Sequence, residues 1–340
     1  MRLGFGLITC QEHPADARSA AELYRDAVDV AVRAEQLGFD SVWVSEHHFV
    51  DDGYMPSLLP VAAAIGARTE RVEIGTALLL APLHDPVRLA EDAATVDLLT
   101  AGRLVLGLGL GWREEEFDGF GIPLRLRRRR MVDAIAVLRQ AWSGGLVTGT
   151  ATAAYPGISV TPKPARPGGP PIWIGAFAEP AVRRAGLLAD GFMGSDSTPE
   201  ELARQVGWVR EEFERAGRDP AGFAWSVHMA TFPWHGADAW DRVRDHRWYV
   251  EWKYDDMEAA RGRAGCPQAP PRLDAAREQE LRASTVLGAP EEVAERIAVL
   301  RDAAGGDLHY IARLYWPGMD PPVRDEAMRI FAEEVRPLLT

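Results

Sequence analysis

Lysine is almost missing from this chain: Lys163 and Lys253 are the two lysines among 38 basic residues. Arginine supplies the remainder, which reads as the bias of an arginine-rich, GC-rich coding sequence and not as a functional choice. Basic residues are also outnumbered, 38 against 50 Asp plus Glu, for a formal net charge of −12. A nucleic-acid-binding surface needs a basic footprint, so nucleic acid is not an expected partner. Cysteine is as scarce. Cys10 and Cys266 stand far apart, which leaves no room for a disulfide framework or a Cys-x-x-Cys metal pattern. Long apolar runs are lacking too. The opening MRLGFGLITC turns polar too soon for a signal peptide, and no stretch reaches membrane-spanning length. No membrane is expected as a partner, and a reducing cytoplasm is the expected compartment.

What is present is a large apolar fraction, 47% of 340 residues, enough to bury a sizeable core. That length allows about two domains, but single α/β barrels reach it. Apolar β-rich runs alternate with helical patterns. Strands are predicted at 3–9, 41–45, 72–80, 104–110, 172–175, 191–194, 223–231 and 308–314. Helices are predicted at 20–37, 57–67, 86–99, 125–142, 180–188, 199–216, 290–303 and 321–335. Such alternation demands a parallel sheet with right-handed crossovers. Eight units favour a closed (β/α)8 TIM barrel over an open doubly wound sheet, and one domain over 1–340. Two segments interrupt the pattern, after strands 4 and 7. The first, 143–171, is rich in Gly, Thr and Pro and reads as a hairpin before the fifth strand. The second, 235–285, carries Trp240, Trp248, Trp252 and GCPQAPP. Extra length directly after a barrel strand sits at the C-terminal rim, where active sites lie, so this segment is either a lid or a packed helical excursion.

The stretch FDSVWVSEHHF, 39–49, is a buried strand that ends in an acid and two histidines. Adjacent residues on an extended chain face opposite ways, so Glu46 and His48 share one side and His47 takes the other. Diverging histidines make a poor chelate, and no metal is expected. Histidine does move protons near neutral pH, and a carboxylate beside it fixes its tautomer. GRLVLGLGLGW, 102–112, lacks the G-x-G-x-x-G spacing of a dinucleotide site. Its glycines alternate along a strand, which admits a flat ligand or tight packing alike. PPIWIGAFAEPAVRRA, 170–185, brings a helix N-terminus whose N–H groups suit a phosphate, although Glu179 is also an ordinary complement to the helix dipole. On the eighth strand His309, Ile311 and Arg313 share a face. Arg313 suits a substrate anion or phosphate, or a salt bridge inside the barrel. His228 lies near the rim of the seventh strand.

These segments, with RTERVEIGTALLLAPLHDPVRLAEDAATVDLLTAGRLVLGLGLGW, VLGAPEEVAERI and WPGMD, resemble the bacterial luciferase-like flavin-dependent monooxygenases. The resemblance covers nearly the whole chain and is weakest over 217–284. It implies a (β/α)8 barrel that binds reduced FMN, supplied by a separate flavin reductase. It implies reaction of that flavin with O2, and oxygenation of a small organic substrate through a flavin peroxide. His47 matches the family's catalytic histidine, with Glu46 and His48 as orienting neighbours. The resemblance also implies a non-prolyl cis peptide at Ala77–Leu78, beside the flavin ring together with Gly109. A homodimer is implied as well.

Two departures bear on the cofactor. Bacterial luciferase has an arginine for the flavin phosphate where this chain has Leu110, and its acidic and hydroxyl contacts become Phe177 and Ala178. The phosphate would then rest on backbone N–H groups around Ala176, Phe177, Ala178 and Glu179. Relatives that use the deazaflavin coenzyme also carry Gly-rich fourth strands ending in Gly-Trp. A deazaflavin-dependent oxidoreductase transferring hydride and a non-catalytic flavin-binding protein are therefore the rival readings. A metal-dependent barrel hydrolase is disfavoured, because the first strand has no histidine and the fourth no lysine.

Overall fold

Each apolar strand is followed by a helix that covers its outer face, and the ring of strands closes on itself. The computed structural model describes residues 1–151, 153–259 and 269–339. Its barrel strands are β1 Arg2–Ile8, β2 Ser41–Val44, β3 Glu73–Thr76, β4 Leu104–Leu108, β5 Ile172–Gly175, β6 Gly191–Ser195, β7 Ala224–Pro233 and β8 His309–Arg313. Neighbours pair in parallel around the ring, and β8 meets β1 with Ile311 opposite Gly4. The expected (β/α)8 barrel is what forms. A short strand, Val286–Gly288, extends β7 on the outside.

The covering helices are α1 Ala20–Gln36, α2 Leu58–Gly66, α3 Pro86–Leu99, α4 Arg127–Trp142, α5 Glu179–Leu188, α6 Pro199–Ala216, α7 Pro290–Ala304 and α8 Pro321–Ile330. Local chemistry sets several of their ends. Ser19 with Glu22, and Thr198 with Glu201, form capping boxes that satisfy orphan N–H groups of α1 and α6. Asp85 accepts from the backbone of Val87 and Arg88 ahead of Pro86. Gly217, at φ 60°, terminates α6 in the left-handed conformation.

The strand pleat sends every second side chain into the barrel. Trp43 and Trp173 pack there with ring centroids 5.1 Å apart, together with Leu7, Ala77, Val105, Met193 and Ile311. Below them the Ser41 hydroxyl accepts from Trp43 Nε1 at 2.7 Å and bonds His309 Nε2 at 2.7 Å. Gly75 exists to make room: a Cβ there would stand 2.1 Å from the Trp43 ring. The lower barrel is thus solid, and any site must lie above the tryptophans.

Three elements differ from the sequence expectation. The third strand ends at Thr76, not at residue 80, and the Ala77–Leu78 peptide that follows it is cis. That cis bond was implied by the family resemblance. Beyond it Leu79 N still donates to Gly107 O at 2.9 Å, and a 3-10 turn follows at Ala81–Leu83. The last helix leaves α geometry at Ile330 and widens into a π turn over Phe331–Val335. A short helix, Glu114–Gly119, appears between β4 and α4 where none was expected.

The 143–171 segment does contain an antiparallel hairpin, Val147–Gly149 with Ala154–Ile158. It follows α4 and is tied to the N-terminal end of the barrel: Arg166 N donates to Asp97 Oδ2 at 2.9 Å, and Lys163 Nζ to Ala141 O at 2.7 Å. The 235–285 segment contains helices Ala239–Ala259 and Ala275–Ser284, and Cys266 lies outside the described residues. Among the described residues no helix is long and apolar enough to cross a membrane.

Candidate active site

Glu46, His47 and His48 leave the end of β2 at the C-terminal rim, and each is buried. Their side chains diverge as the pleat requires. His48 Nε2 bonds Glu46 Oε1 at 2.8 Å, while His47 Nδ1 bonds Glu116 Oε1 at 2.8 Å. His84 stands 3.6 Å from Glu46, too far for a formed hydrogen bond. Burial would raise the Glu46 carboxyl, but its histidine neighbours outweigh that and hold it below the ordinary carboxylate range. Among the described residues no three His, Cys, Asp or Glu side chains converge as metal ligands do.

The expectation that Glu46 and His48 orient His47 is corrected by this geometry. Those two residues bond each other, and the carboxylate that touches His47 is Glu116. Glu116 is fully buried on the short helix Glu114–Gly119, and its Oε1 also accepts from His48 N at 3.0 Å. Its Oε2 has no partner among the described residues. Sequence reasoning missed this residue, although three acids in a row after Gly111-Trp112 match the first turn of a helix.

Aromatic rings wall the exposed side of His47. Tyr54, Tyr254 and Trp112 lie at centroid distances of 4.8, 5.6 and 6.2 Å. The Tyr54 hydroxyl donates to Ser45 Oγ at 2.9 Å, and burial pushes its phenol well above the usual range. Tyr254 comes from the long helix of the 235–285 segment, so that segment completes the site wall. Its packing is substantial. Lys253 is fully buried between Asp51 and Asp256, Tyr249 OH donates to Asp52 Oδ2 at 3.1 Å, and Arg113 spans from His48 O to Met257 O.

The other expected site residues fall in three places. Ala77 and Leu78 face the upper barrel beside β4, where Leu78 Cβ lies 3.0 Å from the position a Cβ on Gly109 would take. The space above Gly109 is therefore already lined by Leu78. Ala176, Phe177, Ala178 and Glu179 form the turn into α5. Phe177 is 68% exposed, no side chain caps the helix, and Glu179 pairs with Arg183 at 2.7 Å. His228 and Arg313 lie on the inward faces of β7 and β8, one register step apart, with Ile311 opposite His228 and Arg313 opposite Ala230. Burial lowers the His228 pKa to about 4. A cavity of about 350 Å³ lies elsewhere, against Asp196, Met229, Ser284, Val286 and Arg296, away from His47.

A flavin-type ring fits this rim by one observation. Two buried polar atoms at the end of β2 lack a partner among the described residues: Glu116 Oε2, on the carboxylate that bonds His47, and His84 Nε2, 3.6 Å from Glu46. Buried polar groups are otherwise almost always bonded, so such a pair of orphans marks a place for a polar ligand. The apolar Ala77–Leu78 segment at the same end of the barrel supplies a surface for a flat ring.

A family model described as luciferase-like monooxygenase matches residues 3–307. An F420-dependent glucose-6-phosphate dehydrogenase of Nakamurella multipartita is 35% identical over 210 residues, 57% of this chain and 59% of that relative. The chain thus matches little more than half the length of that dehydrogenase. The 4-hydroxyprotoasukamycin monooxygenase of Streptomyces nodosus subsp. asukaensis is 26% identical over 357 residues, 99% of this chain and 92% of that relative. A monooxygenase from Streptomyces bottropensis has the same fold, with a TM-score of 0.84 over the full length of both chains at 23% identity.

Proposed function

This chain belongs to the luciferase-like monooxygenase family, and from that premise we propose that it is the oxygenase of a two-component system. It would take reduced FMN from a separate flavin reductase and use O2 to oxygenate a small organic substrate. The observation that carries the reading is the buried His47–Glu116 pair, 2.8 Å apart at the barrel rim and walled by aromatic rings. A relative that is matched over nearly its whole length is a monooxygenase, which supports the oxygenase form.

When bound, reduced flavin supplies the electron pair and the reaction with O2. Ala77 and Leu78 would hold its ring near Gly109, and the backbone at Ala176–Glu179 its phosphate. Glu116 accepts a hydrogen bond from His47 Nδ1–H, which leaves Nε2 to give or take a proton at the reacting group. Tyr54, Trp112 and Tyr254 surround the imidazole with aromatic rings, which would exclude water from it once flavin is bound. Glu46 and His48 brace the turn on its far side.

A second reading is favoured by the 35% identity to the dehydrogenase relative: a deazaflavin-dependent oxidoreductase that transfers hydride. The same His47 Nε2 would then take the proton of an alcohol. Anaerobic titration with reduced FMN and with the reduced deazaflavin coenzyme, followed by addition of O2, separates the two. The expected result is saturable binding of reduced FMN and protein-dependent O2 consumption. Exclusive binding of the deazaflavin would replace the oxygenase with the hydride-transfer enzyme. Flavin binding with no O2 consumption would reduce the protein to a binder.

A further inference from the structure

Arg313 is a buried charge for which the fold has no evident use. It ends the inward face of β8 at 4% exposure. Among the described residues its Nε and Nη2 have no hydrogen-bond partner, and no carboxylate lies within ion-pair distance. The sequence 260–268, outside the described residues, contains no Asp or Glu. Among the described residues the salt bridge expected for such an arginine does not form. Desolvating an unpaired guanidinium is costly, and a ligand anion is what would offset it.

The geometry says which anion. Nε and Nη2 form the side-on edge of the guanidinium, two parallel N–H donors that match the two oxygens of a carboxylate. Two further orphans stand close by. The Trp316 ring lies 5.7 Å from the Arg313 guanidinium carbon, and its Nε1–H is a buried donor without a partner. His228 Nδ1, one register step down on β7, is likewise unpartnered. Burial keeps that imidazole neutral, with Arg313 adding to the effect and Asp196 opposing it, so it can donate beside the arginine without adding charge. Tyr54 links this cluster to the proton-handling group: its ring is 4.8 Å from His47, and the Arg313 charge acts on its phenol.

We propose that the substrate carries a carboxylate, gripped by the Nε/Nη2 edge of Arg313 with Trp316 and His228, and that this grip sets the reacting end toward His47. The orientation toward His47 rests on the function proposed above; the carboxylate site itself does not. Arg313 is a specificity and positioning residue in this scheme, with no part in proton transfer.

Calorimetric titration of the cofactor-free protein with benzoate and with its neutral counterpart benzamide tests the site without turnover. Its failure is therefore distinct from failure of the oxidoreductase reading. Wild type should bind benzoate at least about tenfold more tightly than benzamide. Arg313→Met should erase that preference, and Arg313→Lys, a charge without the fork, should fall between them. Arg313→Met should melt no lower than wild type, since no hydrogen bond or ion pair is lost and the methionine sulfur replaces the guanidinium against the Trp316 ring, and its affinities for FMN and riboflavin should match those of wild type. No benzoate preference in wild type overturns the proposal. So does a lower melting temperature in Arg313→Met, which would make the arginine structural. Weakened FMN binding with riboflavin unaffected would also overturn it, by assigning the arginine to the cofactor's phosphate.

Discussion

In the proposed reaction the two ring nitrogens of His47 have different tasks, and the difference is set by a residue 69 positions away. His47→Ala should lower substrate-coupled O2 consumption by about 10²–10⁴-fold, the usual worth of a positioned acid–base group, with reduced-flavin affinity little changed. Glu116→Gln still accepts from Nδ1 but carries no charge, so its loss should be smaller, about tenfold or more. Stopped-flow kinetics on both variants would check this, and wild-type rates in both would remove the pair from the reaction. The divergence of His47 and His48 was legible in the sequence, because the strand pleat alone dictates it. Glu116 was not. Its contact with His47 is tertiary, and its helix is too short for a periodic pattern to declare it.

Among the elements, the helix Ala239–Ala259 holds the rim together through side chains that look like surface residues in the sequence. Lys253, Arg247 and Asp256 are all buried on it. Lys253→Met leaves Asp51 and Asp256 without their shared cation. Breaking a buried pair in this way should cost about 3–5 kcal/mol, read as a lower denaturant midpoint. An unchanged midpoint would show that the helix is held by its aromatic contacts instead. This explains why the 235–285 segment was ambiguous in the sequence: its burial depends on pairing charges, and no apolar stripe announces it. The third strand misled for the opposite reason. Residues 77–80 are apolar enough to continue a strand, and hydrophobicity carries no trace of a cis peptide. Where propensity, caps and turns agreed, as in α3, β5 and α6, the predicted bounds match the observed ones to within a residue or two.

For the whole molecule, the buried histidines set an acid limit. Burial lowers His228 to about 4 and His309 to about 3, against 6.5 for an ordinary histidine. Below pH 6.5 the unfolded chain takes up protons that these two sites refuse when folded. Their contribution is therefore fully present above 6.5 and is lost as the pH falls through 6.5 toward 4 and then 3. Each site is worth on the order of 3 kcal/mol when the full shift is traversed. Denaturant midpoints should fall steadily from pH 7 to 4.5, and His309→Gln should flatten that slope; a flat wild-type profile would contradict the assignment.

The near absence of lysine returns at this scale with a different meaning. Lys163 is partly accessible on the hairpin side, and Lys253 is sealed under the rim helix. An amine-acylating reagent thus meets Lys163 and the chain's α-amino group at once, and reaches Lys253 only when that helix lifts. The molecule carries its own clock for that motion, readable by mass spectrometry as the lag before the last lysine is modified.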